Sequence, residues 1–197
     1  MKLYSFMLMF LFCGTLMMFC TSMPYDQNAV NKIKRGADLH GANLCFANLE
    51  GVDLRDANLS DADLRGAKLR RANLSGAILK NADLSDAELV EAELRDVNLE
   101  NAKMQNTNLE KAKLTGADIV RADLRNSKIS KADLRLVNLF GADLRGAILQ
   151  GADLSGVNLS SVDLRGADLQ GALVSKKWKQ YLQGQQIKNY DSIVWVE

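Results

Sequence analysis

From Ala37 to Lys176 the apolar positions of the chain recur every five residues, without an insertion. Written as a five-residue unit, the third position is Leu in 24 of 28 units, the exceptions being Met104, Ile119, Ile129 and Val174. The first position is Ala in 21 of 28 and otherwise Val, Thr or Ser, and Asp or Asn commonly stands between the two. A period of five fits neither regular element. On an α-helix, five steps of about 100° leave successive leucines roughly 140° apart, so no apolar stripe forms. On a straight strand an odd period throws each leucine to the opposite face from the last. Both apolar positions can point inward in every unit only if the backbone turns a corner in each one, and the simplest closed figure has four sides. Twenty residues then close one square coil, and the 28 units make about seven coils. The first and third residues face the interior, the second and fourth face water, and the fifth sits at the corner. Eleven corner residues are Gly, and most others are Asn, Asp, Lys or Arg, which suits turn chemistry.

The flanking segments differ in kind. Residues 1–22 begin Met1-Lys2 and continue in an apolar run from Leu3 to Cys20, broken only by Ser5, Gly14 and Thr15. That is the outline of a secretory signal cleaved after Ser22. The alternative keeps residues 3–20 as a membrane anchor, since about 18 helical residues come close to spanning the hydrocarbon core. Residues 23–36 are expected to cap the first coil through a short helix with Asp26 as N-cap, Gly36 as stop, and Val30 and Ile33 as the covering side chains. Residues 177–197 form the other lid: a helix entered from Ser175 and stopped at Gly184 carries Trp178, Tyr181 and Leu182 at helical spacing. A strand-like tail with Tyr190, Ile193 and Trp195 is expected to pack back on the last coil, with a second copy of the chain as the alternative.

These units, from Ala37-Asp-Leu-His-Gly through Ala167-Asp-Leu-Gln-Gly, resemble the A-(D/N)-L-x-x signature of the pentapeptide repeat family over about 70% of the chain. The resemblance implies an all-β fold, a right-handed quadrilateral parallel β-helix (solenoid) with short helical caps; the period alone carries no handedness. Strands about 4.8 Å apart would make the rod roughly 30–35 Å long. Some members of the family are acidic rods that imitate duplex DNA, bind topoisomerases and dimerise end to end.

The formal net charge of +1 argues against nucleic acid as a partner and against DNA mimicry, which is retained as the alternative function. Residues twenty apart share a face, so the exterior sorts into columns. One reads Cys45, Arg65, Ser85, Gln105, Arg125, Arg145, Arg165, shadowed two residues upstream by Asp63, Asp83, Asp123, Asp143 and Asp163. An ion-pair ladder is the plain reading; a strip for anions at Arg125, Arg145 and Arg165 is the sharper one. A second column, Arg55, Arg95 and Arg135, is shadowed by Asp53, Glu93 and Asp133. On a further face Val120 and Phe140 stack in adjacent coils at an outward position, and Leu136 occupies the corner just before Phe140. This apolar cluster is a candidate partner site unless the C-terminal tail lies over it. Phe46, Ile78, Val90 and Ile148 are scattered outward apolar residues, and Cys45 is expected as an incidental surface thiol. His40 is the only histidine and has no second ligand for a metal. No acid and base pair in a cleft, so neither catalytic residues nor a cofactor are expected. The expectation is a non-catalytic, exported (periplasmic or secreted) interaction rod with a protein partner, monomeric or dimerising end to end, and touching a membrane only if its N-terminal segment is retained.

Overall fold

The computed structural model describes residues 25–197; the expected signal or anchor segment lies outside them. Along most of the rod second-position residues pair in parallel with the residue twenty further on: Asp38 with Asn58, Asn58 with Ile78, Ile78 with Asn98. A register of twenty with a turn every five residues is a four-sided coil, as the period predicts. The rungs alternate in direction. Leu39 donates its N–H to the Asn58 carbonyl at 2.7 Å, and Asn58 donates its own to Ala37 at 2.9 Å, so a paired side consumes its backbone groups along the rod axis.

Each corner closes when the first-position N–H bonds back to the carbonyl of the preceding Leu, as Ala42 does to Leu39 at 3.0 Å. The fifth residue between them has positive φ, +62° at Gly41, which makes a type II turn. That requirement explains the Gly and Asn at the corners. The same conformation is imposed on Phe46 and Leu136, at φ of 57° and 60°, where a bulky side chain makes it costly.

The Asp or Asn at the second position does more than face water. Its Oδ1 accepts the N–H of the fourth residue, the first residue inside the turn, at 3.3 Å from Asp38 to His40, 3.0 Å from Asn98 to Glu100 and 3.2 Å from Asp123 to Arg125. This Asx arrangement pairs a donor that the ladder cannot reach. The fourth position is not uniformly outward: it is half-buried in 14 of the 28 units and buried in three. Two expectations change. Cys45 is buried rather than a surface residue, and Val90 is buried, whereas Phe46 and Ile78 do stand exposed.

Leu and Ala of the first and third positions form one continuous core along the rod. Thr107 and Ser127 are stacked polar residues within it, and both are satisfied: Thr107 Oγ1 donates to the Leu84 carbonyl at 2.8 Å and Ser127 Oγ to Leu124 at 2.7 Å.

Both ends of the described chain are lidded. Helix α1 (Gln27–Asn31) is capped by the Asp26 side chain, and Tyr25, Val30 and Ile33 pack on the core. It stops at Lys32 rather than at Gly36, because Gly36 is used as a corner, donating its N–H to the Arg55 carbonyl at 2.8 Å. At the other end strand β1 (Leu173–Ser175) runs into a 3-10 turn (Lys176–Trp178) and helix α2 (Lys179–Gln183), with Gly184 as its C-cap. Ser175 makes no side-chain cap because it still belongs to β1. Strand β2 (Val194–Val196) pairs in parallel with β1, which places Ile193 in the core and Trp195 against it. The lid also extends the ladder where the next coil would have been. Leu164 N–H finds Gln185 Oε1 at 2.8 Å, Gly171 finds the Ser192 carbonyl at 2.9 Å, and the Val157 carbonyl accepts Trp178 Nε1 at 2.9 Å. Solenoid ends need this, since an unpaired last coil would be an edge open to another chain.

Candidate interaction surface

The tail that packs on β1 leaves the Phe140 face uncovered. Leu136 is 74% exposed and Phe140 58%, the largest values among the exposed large hydrophobic residues of the described chain. Val120, one coil below Phe140, is half-buried, and its N–H is held by Asp118 Oδ1 at 3.3 Å. The structure therefore brings all three expected residues to one side of the rod, with Leu136 and Phe140 as the prominent pair.

The Arg and Asp columns form a continuous ladder. Arg125 is bidentate to Asp123, with Nε at 2.9 Å and a terminal nitrogen at 2.7 Å, and its Nε lies 3.7 Å from Asp143 of the next coil. Arg145 repeats the pattern on Asp143 and reaches Asp163 at 3.7 Å; Arg165 holds Asp163 alone. The side-chain hydrogen bond from Arg125 holds the Asp123 carboxyl down to about 2, and that from Arg55 does the same for Asp53. Asp133 is held well below the ordinary carboxylate range by Arg135, with Thr115 Oγ1 adding a bond at 2.9 Å. The planar fork that an added anion would need is thus filled by the chain's own carboxylates, and an anion at Arg125 or Arg145 has to displace them.

His40 Nδ1 lies 3.7 Å from Asp61, and no group of side chains suited to a metal ion occurs among the described residues. A shallow hollow of about 410 Å³ between the last coil and the lid is lined by Asp163, Arg165, Tyr181 and Gln185. Tyr181 there donates to the Val162 carbonyl at 3.2 Å and Asp163 is paired with Arg165. No helix among the described residues is long and apolar enough to cross a membrane. Sequence reasoning missed the Asx role of the second position, though the Asp/Asn preference beside a turn was its signal.

A parallel coil of twenty residues per turn, lidded at both ends and presenting its chemistry only on outer faces, defines a repeat solenoid. The model of the family described as pentapeptide repeats matches in eight copies across residues 35–175, in overlapping segments from 35–71 to 138–175. The chain belongs to the pentapeptide repeat family. Among solved structures it is similar to the pentapeptide repeat protein Rfr23 from the cyanobacterium Cyanothece 51142, at 31% identity over 66% of this chain and 64% of that one, with a TM-score of 0.30. It is also similar to HetL, involved in heterocyst differentiation regulation in the cyanobacterium Nostoc sp. strain PCC 7120, at 36% identity over 68% of this chain and 77% of that one, TM-score 0.24. QnrB1, a plasmid-mediated fluoroquinolone resistance protein, is matched at 18% identity over 78% of each chain, TM-score 0.37. No curated protein matches the chain.

Proposed function

We propose that this chain is a non-catalytic, exported interaction rod that presents the Leu136 and Phe140 side, with Val120 beneath, to a protein partner. The observation that carries the reading is the exposure of those two side chains. Leu136 holds a bulky side chain in the left-handed region without burying it, so folding alone gives no return for that cost. Membership in the family supports a right-handed winding of the coil, and the filled Arg forks and net charge of +1 favour a protein partner over nucleic acid and over DNA mimicry. The apolar N-terminal run supports export, with anchoring through residues 3–20 as the alternative.

The test is a photo-crosslinking amino acid placed at Phe140, and as control at Lys80 on the same column, in cells that express the full chain. A discrete adduct from position 140 and none from position 80 is expected. Equal labelling, or none from either, overturns the assignment of the site. Fractionation with mass spectrometry of the mature N-terminus tests the export half: a start near Met23 outside the cytoplasm is expected, and an intact soluble cytoplasmic chain overturns it.

A further inference from the structure

On one side of the rod four consecutive rungs are missing. Every described coil below it pairs there in full. One coil earlier, for example, Gly116 donates to Arg135 at 3.1 Å, Asn138 to Ala117 at 3.0 Å, Ile119 to Asn138 at 2.8 Å and Arg121 to Phe140 at 2.9 Å. The equivalents one coil on, Leu136 to Ser155, Asn158 to Val137, Leu139 to Asn158 and Gly141 to Ser160, are not formed, and Asn138 and Asn158 make no bridge. The other three sides of the same two coils remain paired, as by Leu144 to Asp163 at 2.8 Å, Leu149 to Asp168 at 2.8 Å and Leu154 to Leu173 at 2.9 Å.

The corner glycines report the same gap independently. A methyl group on Gly66, Gly76, Gly116, Gly141, Gly146 or Gly151 would meet the side chain of the corner residue below at 2.3 to 3.6 Å. On Gly156, which stands above Leu136, it would meet nothing within 4 Å. The sequence supplies the wedge. Val137 and Val157 are stacked at the first position of this side, the one place in the coil where two valines adjoin in a column. Val97, flanked in the same column by Ala77 and Ala117, keeps all its rungs. From above, Trp178 Nε1 takes the Val157 carbonyl, so the last coil is held there by the lid.

We infer that the rod carries a built-in opening point: the side from Leu136 to Gly141 parts from Gly156 to Ser161 ahead of every other described wall, with the three paired sides acting as the hinge. The inference does not depend on a partner at Phe140. Opening there widens the apolar lip formed by Leu136 and Phe140 by uncovering Val137 and Val157.

Residue-resolved amide hydrogen exchange on the full chain tests it. The amides of Leu136, Leu139, Gly141 and Asn158 should exchange about a hundredfold or more faster than those of Gly116, Ile119, Arg121 and Asn138, their counterparts one coil earlier. Equal protection of the two sets overturns the inference without any variant being made. Val157→Ala should slow the four amides toward their counterparts, whereas Val97→Ala should leave both sets unchanged. Fast exchange that persists in a folded Val157→Ala chain overturns the wedge as its cause.

Discussion

Two stacked pairs of first-position residues make the most instructive contrast in this rod. Thr107 sits beneath Ser127, and the side they share keeps its rungs: Asn106 to Arg125 at 3.0 Å, Lys128 to Thr107 at 2.9 Å and Leu109 to Lys128 at 2.7 Å. Val137 sits beneath Val157, and the side between them has none. Thr and Val are nearly the same shape, so branching at Cβ by itself does not part the coils. What differs is the neighbour and the hydroxyl. Ser127 is small enough to leave room above Thr107, and Thr107 Oγ1 is tied to the Leu84 carbonyl of the coil below. The repeat of about 4.8 Å thus accommodates one branched residue per column step, provided that the next residue in the column is Ala or Ser.

The largest effect that would break this contrast comes from the core shared by both sides. Leu99→Asp buries an unpaired charge among coils on either side and should cost at least about 3 kcal/mol, removing the cooperative thermal transition in circular dichroism. Next comes Ala117→Val, which would place a fourth valine in the same column, between Val97 and Val137. It should extend the opened side downward at a cost of about 1–3 kcal/mol, read as a lowered Tm and faster exchange at Ile119.

Acid sharpens the contrast from the outside, because the fully paired sides carry the Arg and Asp ladder. Asp53 and Asp123 ionise near 2 in the folded rod against an ordinary 3.8, so the unfolded chain binds the more protons in that interval. Their stabilisation is complete above about pH 4 and lost as pH falls toward about 2. A Tm that is flat above about pH 5 and falls between about 4 and 2, less steeply in Arg125→Gln, is the expected record. The smallest effect is at Phe140→Asp, which touches an exposed side chain on the already opened side. It should shift stability by less than about 0.5 kcal/mol. A large loss there would show that Phe140 packs against the rod and would sink the interaction surface.

Much of this was legible in the residues. The five-residue period of Leu and Ala led to four sides and about seven coils because only a corner in each unit lets both point inward. The Arg and Asp columns followed from the register of twenty, and the lids from Asp26, Trp178 and Tyr181. The Asx role of Asp and Asn was also available in the turn chemistry, but the outward-facing label concealed it. Cys45 was misplaced for a related reason: its N–H is drawn to Asn43 Oδ1 by that Asx bond, which a simple in-and-out alternation does not contain; Val90 follows Glu88, makes no such bond, and is buried all the same.

By itself, then, the sequence determined the coil, its register and the order of side chains along each face, since these follow from a repeat short enough for local geometry to dictate it. The tertiary structure alone decided how well consecutive coils fit. Whether Val137 can lie beneath Val157 depends on contacts twenty residues apart and on where Trp178 holds the last coil. Whether Phe140 stays bare depends on β2 choosing β1 as its neighbour. Those are competitions between surfaces for the same space, and no five-residue pattern records their outcome.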